Sequence, residues 1–94
     1  MSVSQCFRSE DRPQLNSKFL FRWEKSQNAF VLLYPEGIIK LSDSAAEIIK
    51  RCNGTLTVAD IIAEIKALVV NATDLEQSIN RFLEVSRGKG WINN

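Results

Sequence analysis

The amino-acid sequence predicts an α+β domain of winged helix-turn-helix outline, a three-stranded antiparallel sheet followed by a three-helix bundle. Three observations carry this. Residues 18–41 run with the periods of strands and are interrupted by two turn signals. Residues 42–92 hold three apolar stripes of helical period. The joints between elements are two to five residues long, which leaves little freedom in how they pack.

The first strand begins at Lys18. Phe19, Phe21 and Trp23 fall on one face, and Leu20, Arg22 and Glu24 on the other. Lys25-Ser26-Gln27-Asn28 is a short polar loop in which Asn28 tolerates a positive φ. Ala29 to Tyr34 is apolar throughout, as suits a central strand covered at least in part on both sides. Pro35-Glu36-Gly37 reverses the chain, Pro35 presetting φ and Gly37 offering an angle other residues rarely take. Gly37 to Leu41 is the third strand, with Ile39 and Leu41 on one side and Ile38 and Lys40 on the other. In a meander the second strand is central, so the third is an edge.

Ser42 caps the first helix, with Ser44 and Glu47 as an alternative capping box, and Ala45, Ile48, Ile49 and Cys52 form its inner face. Asn53-Gly54 ends it. Thr57 and Asp60 open the second helix, whose stripe is Val58, Ile61, Ile62, Ile65, Leu68 and Val69. Asn71-Ala72 forms the next loop, and Thr73 with Glu76 makes a capping box for the third helix. Leu75, Ile79, Phe82, Leu83 and Ser86 form that helix's inner face, Gly88 or Gly90 stops it, and Trp91-Ile92 folds back over the core. Residues 1–17 are polar, broken by Pro13, and read as a flexible tail, with residues 18–94 as the domain.

Composition narrows function. A chain of 94 residues with net charge +1 shows no basic stripe for nucleic acid. No apolar run reaches the ~18 residues of a membrane helix, and Met1 to Asp11 holds no signal-peptide stretch, so the chain is expected in the cytoplasm, away from membranes. Cys6 and Cys52 match no zinc or redox spacing, and histidine is absent. Capping and helical spacing account for Asp43, Glu47, Asp60 and Glu64. The expectation is a binding module without catalytic residues, metal or cofactor.

Several motifs together resemble the PqqD family of pyrroloquinoline quinone (PQQ) biosynthesis. They are Tyr34-Pro35-Glu36-Gly37 followed by two apolar residues and Lys40-Leu41, the Ser44-Ala45 helix start, and Ile48-Ile49-Lys50-Arg51-Cys52-x-Gly54 at its end. Thr57-Val58-x-x-Ile61-Ile62 and the terminal Gly90-Trp91 continue the likeness, which runs from about Leu20 to Ile92. Asn16-Ser17 departs from it, standing where the family would place a glycine-containing turn. The resemblance implies a peptide chaperone that recognises the ribosomally made precursor PqqA and presents it to the radical S-adenosylmethionine enzyme PqqE for glutamate–tyrosine cross-linking. It also implies that the peptide joins the sheet beside the third strand and is covered by the third helix.

On that reading the peptide-binding residues are Gly37, Ile38, Ile39, Lys40 and Leu41 on the strand, and Ser78, Arg81, Phe82 and Val85 on the third helix. An apolar edge guarded by Lys40 alone is an aggregation hazard unless a guest strand uses it. Proline at Ile39 or Leu41 should then weaken binding by removing a strand N–H. Lys40 and Arg81 would meet acidic peptide residues, Arg81 otherwise being a solvated face residue. Val85 either lines the groove or packs on Trp91, and Ile38 either lines it or belongs to the core. Trp91 is a lid on the core or a weak anchor for the partner enzyme. Two alternatives stand: a winged-helix DNA-binding protein using Gln77, Asn80, Arg81 and Arg87, and a homodimer formed through the edge strand or an element swap.

Overall fold

The structure is a computed structural model that describes residues 7–69 and 74–93. Its elements are β1 (Gln14–Leu15), β2 (Leu20–Glu24), β3 (Ala29–Tyr34), β4 (Gly37–Lys40), α1 (Asp43–Lys50), α2 (Val58–Leu68), α3 (Leu75–Gly88) and β5 (Ile92–Asn93). Strands β2, β3 and β4 form the antiparallel meander, with β3 in the middle. The sheet-then-helices order expected from the sequence is the order found.

The β2–β3 loop closes with Gln27 and Asn28 N–H donating to the Glu24 and Lys25 carbonyls, and Asn28 takes φ 52°. The β3–β4 reversal differs from expectation at Gly37, which stays outside the positive-φ region. Pro35 and Glu36 make the whole two-residue turn between the paired Tyr34 and Gly37. Gly37 lies against the Tyr34 ring, where an added Cβ would stand 3.5 Å from Oη, an ordinary contact.

Cross-strand register places Phe21, Leu32 and Ile39 on one sheet face. These residues join the core formed with Ile48, Ile49, Ile61, Ile65, Ile79, Leu83 and Ile92. Ser42 caps α1 by accepting from Ala45 N–H at 3.2 Å, so the Ser44 alternative is not used. Thr57 and Asp60 form a reciprocal capping box on α2. The loop before it is braced by Asn53 Oδ1, which accepts from Thr55 N–H, Thr55 Oγ1 and Leu56 N–H, and Gly54 has φ +82°. The box proposed at Thr73 falls outside the described residues, as does the Asn71-Ala72 loop; α3 opens at Asp74 in the left-handed region. At its other end Trp91 N–H reaches the Ser86 carbonyl and Gly90 N–H the Arg87 carbonyl, a Schellman closure with Gly90 at φ +80°.

The expectation of a flexible tail to residue 17 needs correction from Phe7 onward. Phe7 is buried beneath the Arg87 guanidinium, 3.8 Å from its ring centroid, and Pro13 is fully buried. Strand β1 pairs with β5, and Leu15 N–H donates to the Cys52 carbonyl. The Ser9 and Asp11 carbonyls accept from Ala59 and Val58, the first N–H groups of α2, which lack partners inside the helix. At the departure noted above, Asn16 makes its own turn: Oδ1 accepts from Lys18 N–H and Nδ2 donates to the Gly90 carbonyl. Main-chain bonds hold this segment, which is why a polar composition concealed it.

Candidate functional site

Strand β4 is an edge of the sheet. Leu41 N–H donates to the Phe30 carbonyl at 3.0 Å. Antiparallel pairs alternate between bonded and non-bonded positions, so Ile39 and Gly37 also spend their main-chain groups on β3. The N–H and C=O of Ile38 and Lys40 point outward, and no described residue pairs with them. Leu41 is buried in the core, so it supports the edge from within. Proline at Ile39 or Leu41 would therefore break internal bonds; the informative positions are Ile38 and Lys40.

The opposite edge, β2, is also open, its outward groups being those of Phe21 and Trp23 by the same alternation. Charge distinguishes the two. β2 contains two charges, Arg22 and Glu24, and is flanked by Lys18 and Lys25, whereas β4 contains one, Lys40, and is flanked by Glu36 and Asp43. Charged edges discourage pairing with another chain, and β4 is the less guarded.

At the end of β4 the chain enters α1, and there an apolar groove of about 750 Å³ opens. Ile48, Ile65 and Ile79 form its floor, Leu68, Leu75 and Phe82 its walls, and Ser42, Asp43 and Ser78 its mouth. Of the helix residues expected at the site, Ser78 and Phe82 line this groove. Arg81 is exposed outside it, and Val85, also exposed, lines a shallow depression with Glu84, Arg87 and Gly88. Sequence reading assigned Leu68 and Val69 to the α2 core stripe, but both are exposed at the groove. Nothing in the stripe marks its last turn as different, since Leu68 and Val69 continue the same apolar period.

Trp91 is half-buried, its ring 6.5 Å from Phe82 and beneath Lys89 Nζ. Its carbonyl accepts from Asn16 N–H at 2.7 Å, so the residue joins the end of α3 to the β1 segment. The nearby Ser86 hydroxyl is fully buried without a hydrogen-bond partner among the described residues. Arg51 ties α1 to α2 through Glu47 at 2.7 Å and Glu64 at 2.9 Å. The Arg51 hydrogen bond holds the Glu47 carboxyl below its usual range against an opposing effect of burial, with Lys50 adding to the lowering. Burial pushes the Cys52 thiol up to about 12. Among the described residues no cluster of acidic or sulfur side chains could hold a metal ion, and no helix is long and apolar enough to cross a membrane.

An open strand edge beside an apolar groove is an arrangement for holding an extended peptide. Residues 29–92 match the family model described as coenzyme PQQ synthesis protein D (PqqD). The chain belongs to the PqqD family. It is 44% identical over 82 residues to the PqqA binding protein of Azotobacter vinelandii, covering 87% of this chain and 89% of that one. It is 42% identical over 80 residues to the PqqA binding protein of Acinetobacter baylyi, covering 85% and 81%. Among solved structures it is similar to the PqqD truncation of Methylobacterium extorquens PqqCD, with TM-score 0.73 and 26% identity over 94% of this chain and 95% of that one. That truncation is described as a functional, stand-alone recognition element for ribosomally synthesised and modified peptides. This member of the PqqD family thus shares its overall fold with a recognition domain of that kind.

Proposed function

We propose that this chain is a non-catalytic peptide chaperone of PQQ biosynthesis, which binds the precursor peptide PqqA as an added strand on β4 and presents it to PqqE. The names of its relatives support the ligand. The observation that carries the binding mode is the pair of outward-facing residues Ile38 and Lys40, whose main-chain groups lack partners among the described residues. A guest strand there would turn alternate side chains toward the Ile39 side of the sheet, where Phe82 and the groove offer apolar contacts.

Two buried anchors would contribute about 1.5–3 kcal/mol each. Each added strand bond would contribute about 1 kcal/mol net. Ordering the peptide costs roughly 2–5 kcal/mol, and lost translational freedom costs more. These costs offset most of the gain, so binding is expected to be no tighter than about micromolar.

Matched proline variants test the mode. Lys40→Pro removes an outward N–H on β4, and Trp23→Pro removes one on β2. Both variants are first checked for a cooperative melt. Binding of PqqA, followed by calorimetry, should weaken roughly tenfold or more in Lys40→Pro, corresponding to ~1.4 kcal/mol, and stay close to wild type in Trp23→Pro. Equal affinities in the two folded variants would reject pairing at β4.

A further inference from the structure

The sheet has a second face, turned away from the helices. Register sets Leu20, Leu33 and Ile38 in one row across all three strands, on the side opposite Phe21, Leu32 and Ile39. Leu20 is 55% exposed and Ile38 48%, with Leu33 between them half-buried. The next row holds Arg22, Val31 and Lys40. Val31 is fully buried although it lies outside the main core cluster; its cross-strand neighbours are Arg22 and Lys40, residues of the kind whose long stems can cover apolar surface. Single exposed apolar residues are common on proteins. A cross-strand row of three on the outer face of an antiparallel sheet is a contiguous patch where polar residues usually stand.

We propose that this outer sheet face, centred on Leu20 and Leu33 and bordered by Arg22 and Lys40, docks the enzyme that modifies the bound peptide, through an apolar surface edged with carboxylates. The inference rests on the chaperone function proposed above and adds the surface of hand-over. Charge selects the occupant. The face presents two cations beside the apolar row, and its acid, Glu24, lies at the far end with its carboxylate accepting from Ser26 Oγ at 2.9 Å. A second copy packed on this face would bring the same cations into one interface, whereas an acidic rim is complementary.

Position gives the second reason. A guest strand on β4 leaves this face open and enlarges it from three strands to four. The guest's alternate side chains would emerge beside Ile38 and Lys40, so a partner seated there meets peptide and chaperone together. Linkage then requires the peptide and the enzyme to strengthen each other's binding by the same factor.

The experiment uses the full chain, PqqA and PqqE. Leu20→Ser combined with Arg22→Glu alters the face at positions that touch neither β4's free edge nor the groove. A folded double variant is expected to bind PqqA within about twofold of wild type and PqqE at least tenfold more weakly, in the presence of PqqA. Unchanged PqqE affinity overturns the proposal, and so does a matching loss of PqqA affinity, which would assign the face to the peptide. Loss of PqqE binding in Trp91→Ala with none in the double variant places the enzyme elsewhere and also overturns it. If wild-type chain binds PqqA but not PqqE, the presentation step of the proposed function fails and this inference with it. Should the double variant not fold, methyl NMR of the wild-type chain decides: PqqE should broaden Leu20, Leu33 and Ile38 ahead of core Ile61, and uniform behaviour overturns the proposal.

Discussion

Gly54 and Cys52 show how tightly single residues are constrained where the end of α1 meets the β1 segment. At φ +82° an added Cβ on Gly54 would also lie 3.0 Å from Gln14 Oε1. Gly54→Ala is expected to cost about 1–3 kcal/mol, read from urea unfolding. The Cys52 thiol, raised to about 12 by burial, should resist alkylating reagents at pH 8 in the native chain and react once the chain is unfolded. Asn28 and Thr57 were legible because each makes its decisive contact within a few residues of itself. Gly37 was misread: glycine in a hairpin suggested a positive φ, yet Pro35 and Glu36 complete the turn without it.

At the scale of elements, the clearest departure from the sequence reading is the segment that begins at Phe7. Its hold on the body is a set of main-chain bonds to Cys52, Val58, Ala59 and Gly54, together with the Phe7–Arg87 contact across most of the chain. Bonds of that kind leave no periodic trace, whereas the stripes of α1, α2 and α3 do. Removing residues 1–12 should therefore lower the melting temperature and speed exchange of the Val58 and Ala59 amides, because their acceptors are lost. Phe7→Ala alone should cost about 3 kcal/mol. A truncated chain that melts like the full one would contradict this packing. The same limit applies to the groove: Phe82 and Ser78 can be placed on one side of α3 from spacing, but the exposure of Leu68 and Val69 at the end of the α2 stripe is seen only in the structure.

For the whole molecule, an ionic contact between α1 and α2 bears on how stability changes with pH. Arg51 bridges Glu47 of α1 and Glu64 of α2. Glu47's carboxyl is held below its unfolded range, chiefly by the Arg51 hydrogen bond. Its contribution to stability is thus present above the ordinary glutamate range and is lost as pH falls through the lowered value. The Glu47→Gln variant should lose less stability than wild type between neutral pH and pH ~3, by a small margin because the pair is partly exposed. The edge position of β4 followed from the order of strands alone, and the family likeness supplied the guest. What required coordinates was the phase of the hydrogen bonds, which moves the exposed amides from Ile39 and Leu41 to Ile38 and Lys40.

That phase is the most direct point of attack. Amide hydrogen exchange, followed residue by residue with and without saturating PqqA, reads it on the unmodified chain. Strand addition at β4 predicts that Ile38 and Lys40 gain strong protection while Phe21 and Trp23 on the opposite edge do not. Protection appearing at Phe21 and Trp23, with Ile38 and Lys40 left exchanging as before, would contradict it.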